Sequence, residues 1–197
     1  MPDINRTFTP RIERVGDADA GYGVDGLNGE KVTLAAFPAL YHRYLSPVYR
    51  YVWFRIGDRS DAEDLTSQIF LAALEGLPRY RTWPSPGGSF AAWLFTIARH
   101  KIADHFRKRQ VQVSLDEDIQ NFVEDGDLLS VVINKDDLVR LANLISALRE
   151  DEQELLNLRF AAELSFDEIA TVLKKRPSAV KMQLYRLLRQ VEQNMNR

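Results

Sequence analysis

The chain has 197 residues, of which 45% are hydrophobic and 27% charged, with a net charge of −2 and no cysteine. That length fits one domain or two small ones, and the apolar content suffices for packed cores. The missing cysteines exclude disulfides and thiolate chemistry, and the near-neutral charge leaves only segregated clusters as a basis for binding a polyanion. No apolar run approaches the length of a membrane span and the N-terminus lacks a signal-peptide core, so the expected setting is cytoplasmic, without membrane insertion.

Residues 1–30 hold few large apolar side chains and five glycines, Gly16, Gly21, Gly23, Gly26 and Gly29, and read as a mobile extension. From Val32 the pattern becomes helical. Phe37, Leu40, Tyr41, Tyr44, Val48, Tyr51 and Val52 recur at three- and four-residue spacing. Pro38 suits a first turn, whereas the interior Pro47 is expected to bend this helix or break it in two. Gly57 and Asp58 end the element. Ser60 and Glu63 have capping-box spacing and predict a helix running to about Gly76, with Ala62, Leu65, Ile69, Ala72 and Ala73 buried. Asp64, Ser67, Gln68 and Leu71 form a second, mixed stripe on that helix, which spacing alone assigns to solvent.

Residues 78–89 read as a loop rich in proline, glycine and aromatic residues. A helix is expected from Phe90 to about Arg109, with Phe90, Leu94, Ile97, Ala98 and Ile102 inward. Its other face carries Arg99, His100, Lys101, His105, Arg107, Lys108 and Arg109, opposed only by Asp104. The His100–Asp104 spacing suits a metal, but one pair supplies too few ligands, and a polar, DNA-facing surface accounts better for the cations. No metal or cofactor is assigned.

Residues 112–137 are acidic, with Asp116, Glu117, Asp118, Glu124, Asp125, Asp127, Asp136 and Asp137 against Lys135, and read as a linker. Leu138, Leu141, Ile145 and Leu148 open a second helical region, continued by Leu155, Leu156, Leu158 and Phe160. Ser165 with Glu168 is a further capping box, and Lys174, Lys175 and Arg176 mark a turn. Pro177 then sits where a first helical turn tolerates it. Val180, Leu184, Leu187, Leu188 and Val191 supply a buried stripe, and no Asp or Glu lies between Lys174 and Gln190. This is a helix-turn-helix pattern whose second helix suits polyanionic DNA. The expected fold is all-α: two small helical domains joined by an acidic linker, the second ending in the helix-turn-helix. The division is 1–30, 31–109, 110–137 and 138–197.

Two separated blocks carry one resemblance. AEDLTSQIFLAAL (62–74) with FAAWLFTIARHKIADHFRKR (90–109) resembles domain two of bacterial extracytoplasmic-function sigma factors. LREDEQELLNLRFAAELSFDEIATVL (148–173) with VKMQLYRLLRQV (180–191) resembles their domain four. The resemblance covers about residues 34–109 and 138–192, with both blocks in the family's order. It implies a dissociable, non-catalytic specificity subunit of core RNA polymerase, partnered by promoter DNA and commonly held inactive by an anti-sigma factor.

By the same resemblance, Asp64, Ser67, Gln68 and Leu71 contact the polymerase. Tyr80, Arg81 and Trp83 offer aromatic and polar walls for an extruded base of the −10 element, and Arg99, His100, Lys101, Arg107 and Lys108 line the DNA path. Trp93 is more often core than base-stacking in this family. Ser178, Lys181, Met182, Gln183, Arg186 and Arg189 of the recognition helix are placed against the −35 element. The acidic linker resembles the segment that threads toward the polymerase active centre. The chain departs from the common pattern at Ser67–Gln68, His100, Met182–Gln183 and the glycine-free turn, so the promoter sequence does not carry over. The rival reading is a conventional helix-turn-helix regulator, which leaves the 62–109 block unexplained. A flexible linker also implies that the two basic surfaces have no fixed relative geometry.

Overall fold

Residues 34–80, 89–110 and 135–195 are described in this computed structural model, and all regular structure among them is helical. A 3-10 turn, Leu34–Ala36, leads into α1 (Phe37–Ile56), which has Pro38 in its first turn. Pro47 does not divide α1. Tyr44 and Val48 on either side of it are buried, so tertiary packing outweighs the one backbone bond that proline removes. Gly57 closes the helix in the left-handed region at φ 75°, with its N–H on the Trp53 carbonyl.

That sharp exit moves the next cap upstream of its expected place. α2 (Arg59–Tyr80) starts with Asp58 Oδ1 accepting the Asp61 N–H at 2.8 Å, while Glu63 pairs with Arg59 one turn away rather than with Ser60. It also runs past Gly76 and through Pro78. Gly76 has a packing reason: a Cβ there would lie 3.1 Å from Trp93 Cζ2. Trp93 is core, as expected, and α3 (Phe90–Gln110) packs across α1 and α2 to complete an N-terminal three-helix unit.

The C-terminal unit contains α4 (Lys135–Ser146), α5 (Glu150–Leu156), a π turn at Asn157–Ala161, α6 (Phe166–Leu173) and α7 (Pro177–Met195). α4 thus begins inside the stretch read as linker. Ser165 and Glu168 form the expected capping box of α6. Lys174 occupies the left-handed cap position at φ 54° that a glycine fills more cheaply, and α7 starts at Pro177. Val180, Leu184 and Leu187 are buried as expected, and Phe160, one of the residues that continue the second helical region, stands 55% exposed on the π turn.

The two units do not lie apart, which corrects the expectation of an unfixed geometry. α1 packs on the π turn and α3 on α6, and a single apolar cluster runs from Leu40 through Tyr51 and Phe95 to Leu155, Leu158 and Ile169. Tyr51 and Phe95 meet edge to face with centroids 5.3 Å apart. Because α6 covers its outer side, every residue from Phe90 to Phe95 is buried, rather than the single stripe that periodicity implies.

One carboxylate ties the units together. Glu168 closes the α6 box through Oε2 while its Oε1 accepts the Ser89 hydroxyl at 2.5 Å, and Ser89 Oγ accepts the Ala92 N–H at the start of α3. Glu168→Ala is expected to lower stability by about 1–3 kcal/mol, exceeding the ~1 kcal/mol of an ordinary cap, because a buried partner is stranded as well. Urea unfolding of the variant against the parent checks it.

Candidate nucleic-acid and protein interfaces

The α2 stripe is wholly on the surface. Asp64, Ser67, Gln68 and Leu71 are all exposed, while Ala62, Leu65, Thr66, Ile69 and Phe70 between them are buried. Leu71 is 56% and Leu74 36% exposed, so the stripe ends in a small apolar patch that its own unit leaves uncovered. An apolar tip beside a carboxylate and an amide has the makeup of a protein contact.

On α3 the structure sorts the expected cations into two groups. His100, Arg107 and Lys108 share one exposed face with Asp104, at i, i+7, i+8 and i+4, and Arg107 is bonded to Asp104 at 2.9 Å. Arg99 turns the other way, toward the C-terminal unit, with its Nε 3.6 Å from Glu154 Oε1. Lys101 is half-buried on the α2 side, in line with His105, whose Nε2 lies 3.7 Å from Asp61. Tyr80 is not a free aromatic wall. It packs against Phe90 and Trp93 at 5.7 and 5.1 Å, and burial raises its phenol pKa. Arg81 and Trp83 lie outside the described residues.

The recognition helix also divides. Ser178, Met182, Arg186 and Arg189 form one exposed face, on which Met182 is 63% exposed. Lys181 is exposed beside it, its ammonium 5.7 Å from the Phe166 ring. Gln183 is half-buried and turned toward α5, accepting from Lys175 Nζ at 3.0 Å and donating to Asp151 at 3.4 Å. It braces the turn against α5 and does not share the exposed face.

Behind these surfaces lie groups that periodicity did not flag. Glu154 is buried and accepts the Tyr51 hydroxyl at 2.7 Å. Burial, reinforced by that carboxylate, pushes the Tyr51 pKa well above its ordinary value, so the phenol stays a donor. Asn157 Nδ2 donates to the Tyr51 carbonyl at 3.0 Å, and Arg159 donates to the Leu164 carbonyl at 2.8 Å under the Phe166 ring. The available signal was two polar residues inside the otherwise apolar run LLNLRFAA (155–162). Among the described residues, no cluster of three or more His, Cys, Asp or Glu side chains is arranged to hold a metal, and no helix is long and apolar enough to cross a membrane.

The sigma-70 region 2 family model matches residues 40–111, and the sigma-70 region 4 model matches residues 138–191. The chain is 39% identical over 161 residues to the ECF RNA polymerase sigma factor BldN of Streptomyces coelicolor, covering 78% of this chain and 58% of BldN. It is 30% identical over 151 residues to the ECF sigma factor SigD of Mycobacterium tuberculosis, covering 74% and 70% of the two chains. SigX of Bacillus subtilis is 27% identical over 166 residues, covering 81% and 83%. Among solved structures, the Bartonella quintana sigma factor RpoE, in complex with the anti-sigma factor NepR, superposes with a TM-score of 0.61 at 18% identity, covering 82% of this chain and 98% of that one. CnrH, in complex with the cytosolic domain of CnrY, does so with a TM-score of 0.52 at 22% identity, covering 89% and 90%. These two likenesses concern the fold. With region 2 and region 4 matched in order, and with SigD covered over more than two thirds of its length, the chain belongs to the ECF RNA polymerase sigma factors.

Proposed function

We propose that this chain binds core RNA polymerase through the α2 stripe and directs it to promoters, with α3 at the −10 element and α7 at the −35 element. The observation that carries this reading is the pairing of regions 2 and 4 on one chain, each with an exposed face. The N-terminal domain then spans 31–109, the acidic linker 110–137 and the C-terminal domain 138–197. The chain has no catalytic role of its own and acts in the cytoplasm. An anti-sigma chain, of the kind bound to RpoE, is its expected regulator. Reconstitution with core polymerase on genomic DNA, followed by mapping of transcript starts, tests the function: defined starts that depend on the chain support it. Tight, sequence-specific binding to duplex DNA by the chain alone favours the conventional-regulator reading instead.

The exposed face of α7 supports a sharper expectation. Met182 is a bare apolar side chain between Ser178 and Arg186, and its natural complement in the major groove is the thymine methyl group. Replacing thymine by deoxyuridine at one −35 position is expected to weaken holoenzyme binding by about 0.8 kcal/mol, roughly fourfold, the value of one buried methyl. Met182→Ala should abolish that dependence on the methyl group. Competition binding on the two duplexes reads it directly.

A further inference from the structure

Gln183 lies on the helix expected to read DNA, yet its side chain is engaged elsewhere. Its carbonyl oxygen accepts from Lys175 Nζ at 3.0 Å, and its amide nitrogen donates to Asp151 Oδ2 at 3.4 Å. Only this orientation of the carboxamide satisfies both neighbours, because an ammonium can only donate and an ionised carboxylate can only accept. The other oxygen of Asp151 lies 3.7 Å from Arg149 Nε. A relay Arg149–Asp151–Gln183–Lys175 therefore ties the start of α5 to the turn between α6 and α7.

Lys175 is anchored at both ends. Its backbone N–H is held by the Ala170 carbonyl at 2.9 Å, in the turn that the left-handed Lys174 creates, and its ammonium is held by Gln183. The lysine side chain thus runs along the flank of α7 instead of projecting freely from the turn. Gln183 follows Met182 on that helix and is rotated from it by about 100°, so it borders the exposed face to which Met182 belongs. When the face of a recognition helix meets base edges, its flank lies beside the phosphates. Lys175 is exposed there, as are Lys174 and Arg176.

The residue type at 183 matters for what the lysine can do. A carboxylate would pair with Lys175 as Asp104 pairs with Arg107 on α3, leaving the ammonium less to offer a phosphate, and it would also stand against Asp151. An aliphatic side chain would leave the lysine to explore its rotamers and to lose that freedom on binding. The carboxamide fixes the ammonium without neutralising it.

We propose that Lys175 contacts a backbone phosphate of the duplex that α7 reads, and that Gln183 is its positioning residue, itself oriented by Asp151. This rests on the sigma-factor reading above and gives Gln183 a part in affinity instead of in base choice.

The test uses holoenzyme assembled from core polymerase and the full chain, titrated against a promoter duplex taken from one mapped transcript start. Lys175→Ala is expected to weaken binding about fivefold and to make the log–log salt slope shallower by about 0.9, the mark of one lost phosphate contact. Gln183→Met, which keeps the length without the amide, should cost about threefold in the parent and nothing further beside Lys175→Ala. Duplexes carrying a single neutral methylphosphonate at successive positions of the upstream element then locate the contact. One of them should weaken the parent about fivefold and leave Lys175→Ala unaffected. In Gln183→Glu, close to the parent in shape, that same position should lose its penalty while the others keep theirs, because the lysine is then paired within the protein. A side chain that merely filled space would leave the penalty whole.

An unchanged salt slope in Lys175→Ala overturns the phosphate contact. Equal losses from Gln183→Met with and without Lys175, or a full penalty in Gln183→Glu, overturn the positioning role. If Gln183→Met loses helical circular dichroism, Gln183→Glu decides alone. Failure of the sigma-factor reading shows separately, as the absence of chain-dependent transcript starts with the parent protein.

Discussion

Phe95→Ala is expected to destabilise the chain by about 3–5 kcal/mol, a large part of what a protein of this size has to lose. Phe95 is fully buried on α3, against Tyr51, in a cluster that also contains Leu155, Leu158 and Ile169 of the C-terminal unit. The cavity left by its ring therefore opens inside a core that both units share. Two units held by an independent tether would unfold in two steps, and only one would respond. A shared core predicts one cooperative transition, shifted as a whole. Urea unfolding followed both by far-ultraviolet circular dichroism and by tryptophan fluorescence distinguishes these outcomes, because all three tryptophans, Trp53, Trp83 and Trp93, precede residue 94 in the sequence and none belongs to the C-terminal unit.

The second large effect concerns polymerase. Asp64→Ala with Gln68→Ala and Leu71→Ala should weaken binding to the core enzyme by about tenfold to a hundredfold, the range over which a contact patch loses its anchoring residues. All three side chains are exposed and make no contribution to the buried cluster, so circular dichroism and thermal midpoint should stay at parental values. The contrast with Phe95→Ala is diagnostic, as one variant loses fold and the other only a partner. Unchanged affinity would remove this face of α2 from the docking surface.

What the sequence revealed was whatever depends on neighbours three or four residues away. The Ser165–Glu168 box, the proline start of α7 and the Val180–Leu184–Leu187 stripe all follow local periodicity and were legible on that ground. So was the exposed α2 stripe, although the polymerase contact proposed for it rests on the family resemblance and not on its spacing. The cap of α2 was misplaced by two residues because Ser60–Glu63 and Asp58–Asp61 offer competing local solutions. The left-handed exit at Gly57 selects the second.

The seam between the two units could not be read from spacing. Tyr51 meets Glu154 across 103 residues and Ser89 meets Glu168 across 79, so each looks locally like an ordinary side chain of an amphipathic helix. Gln183 shows the same limit on a smaller scale. It lies between Met182 and Leu184 on a recognition helix, yet Asp151, 32 residues earlier, draws it away from the exposed face.

The arrangement at Glu168 has an electrostatic consequence of its own. Helices α3 and α6 bring their N-termini to the same place, and each N-terminus carries the equivalent of about half a positive charge from its aligned peptide dipoles. Left alone, the two ends would repel. One anionic side chain, linked through Ser89 to the first helix and through Ser165 to the second, turns that repulsion into a shared attraction. The sign of the charge at this single position therefore sets whether the two halves of the molecule cohere, and Glu168→Lys would act there as a wedge.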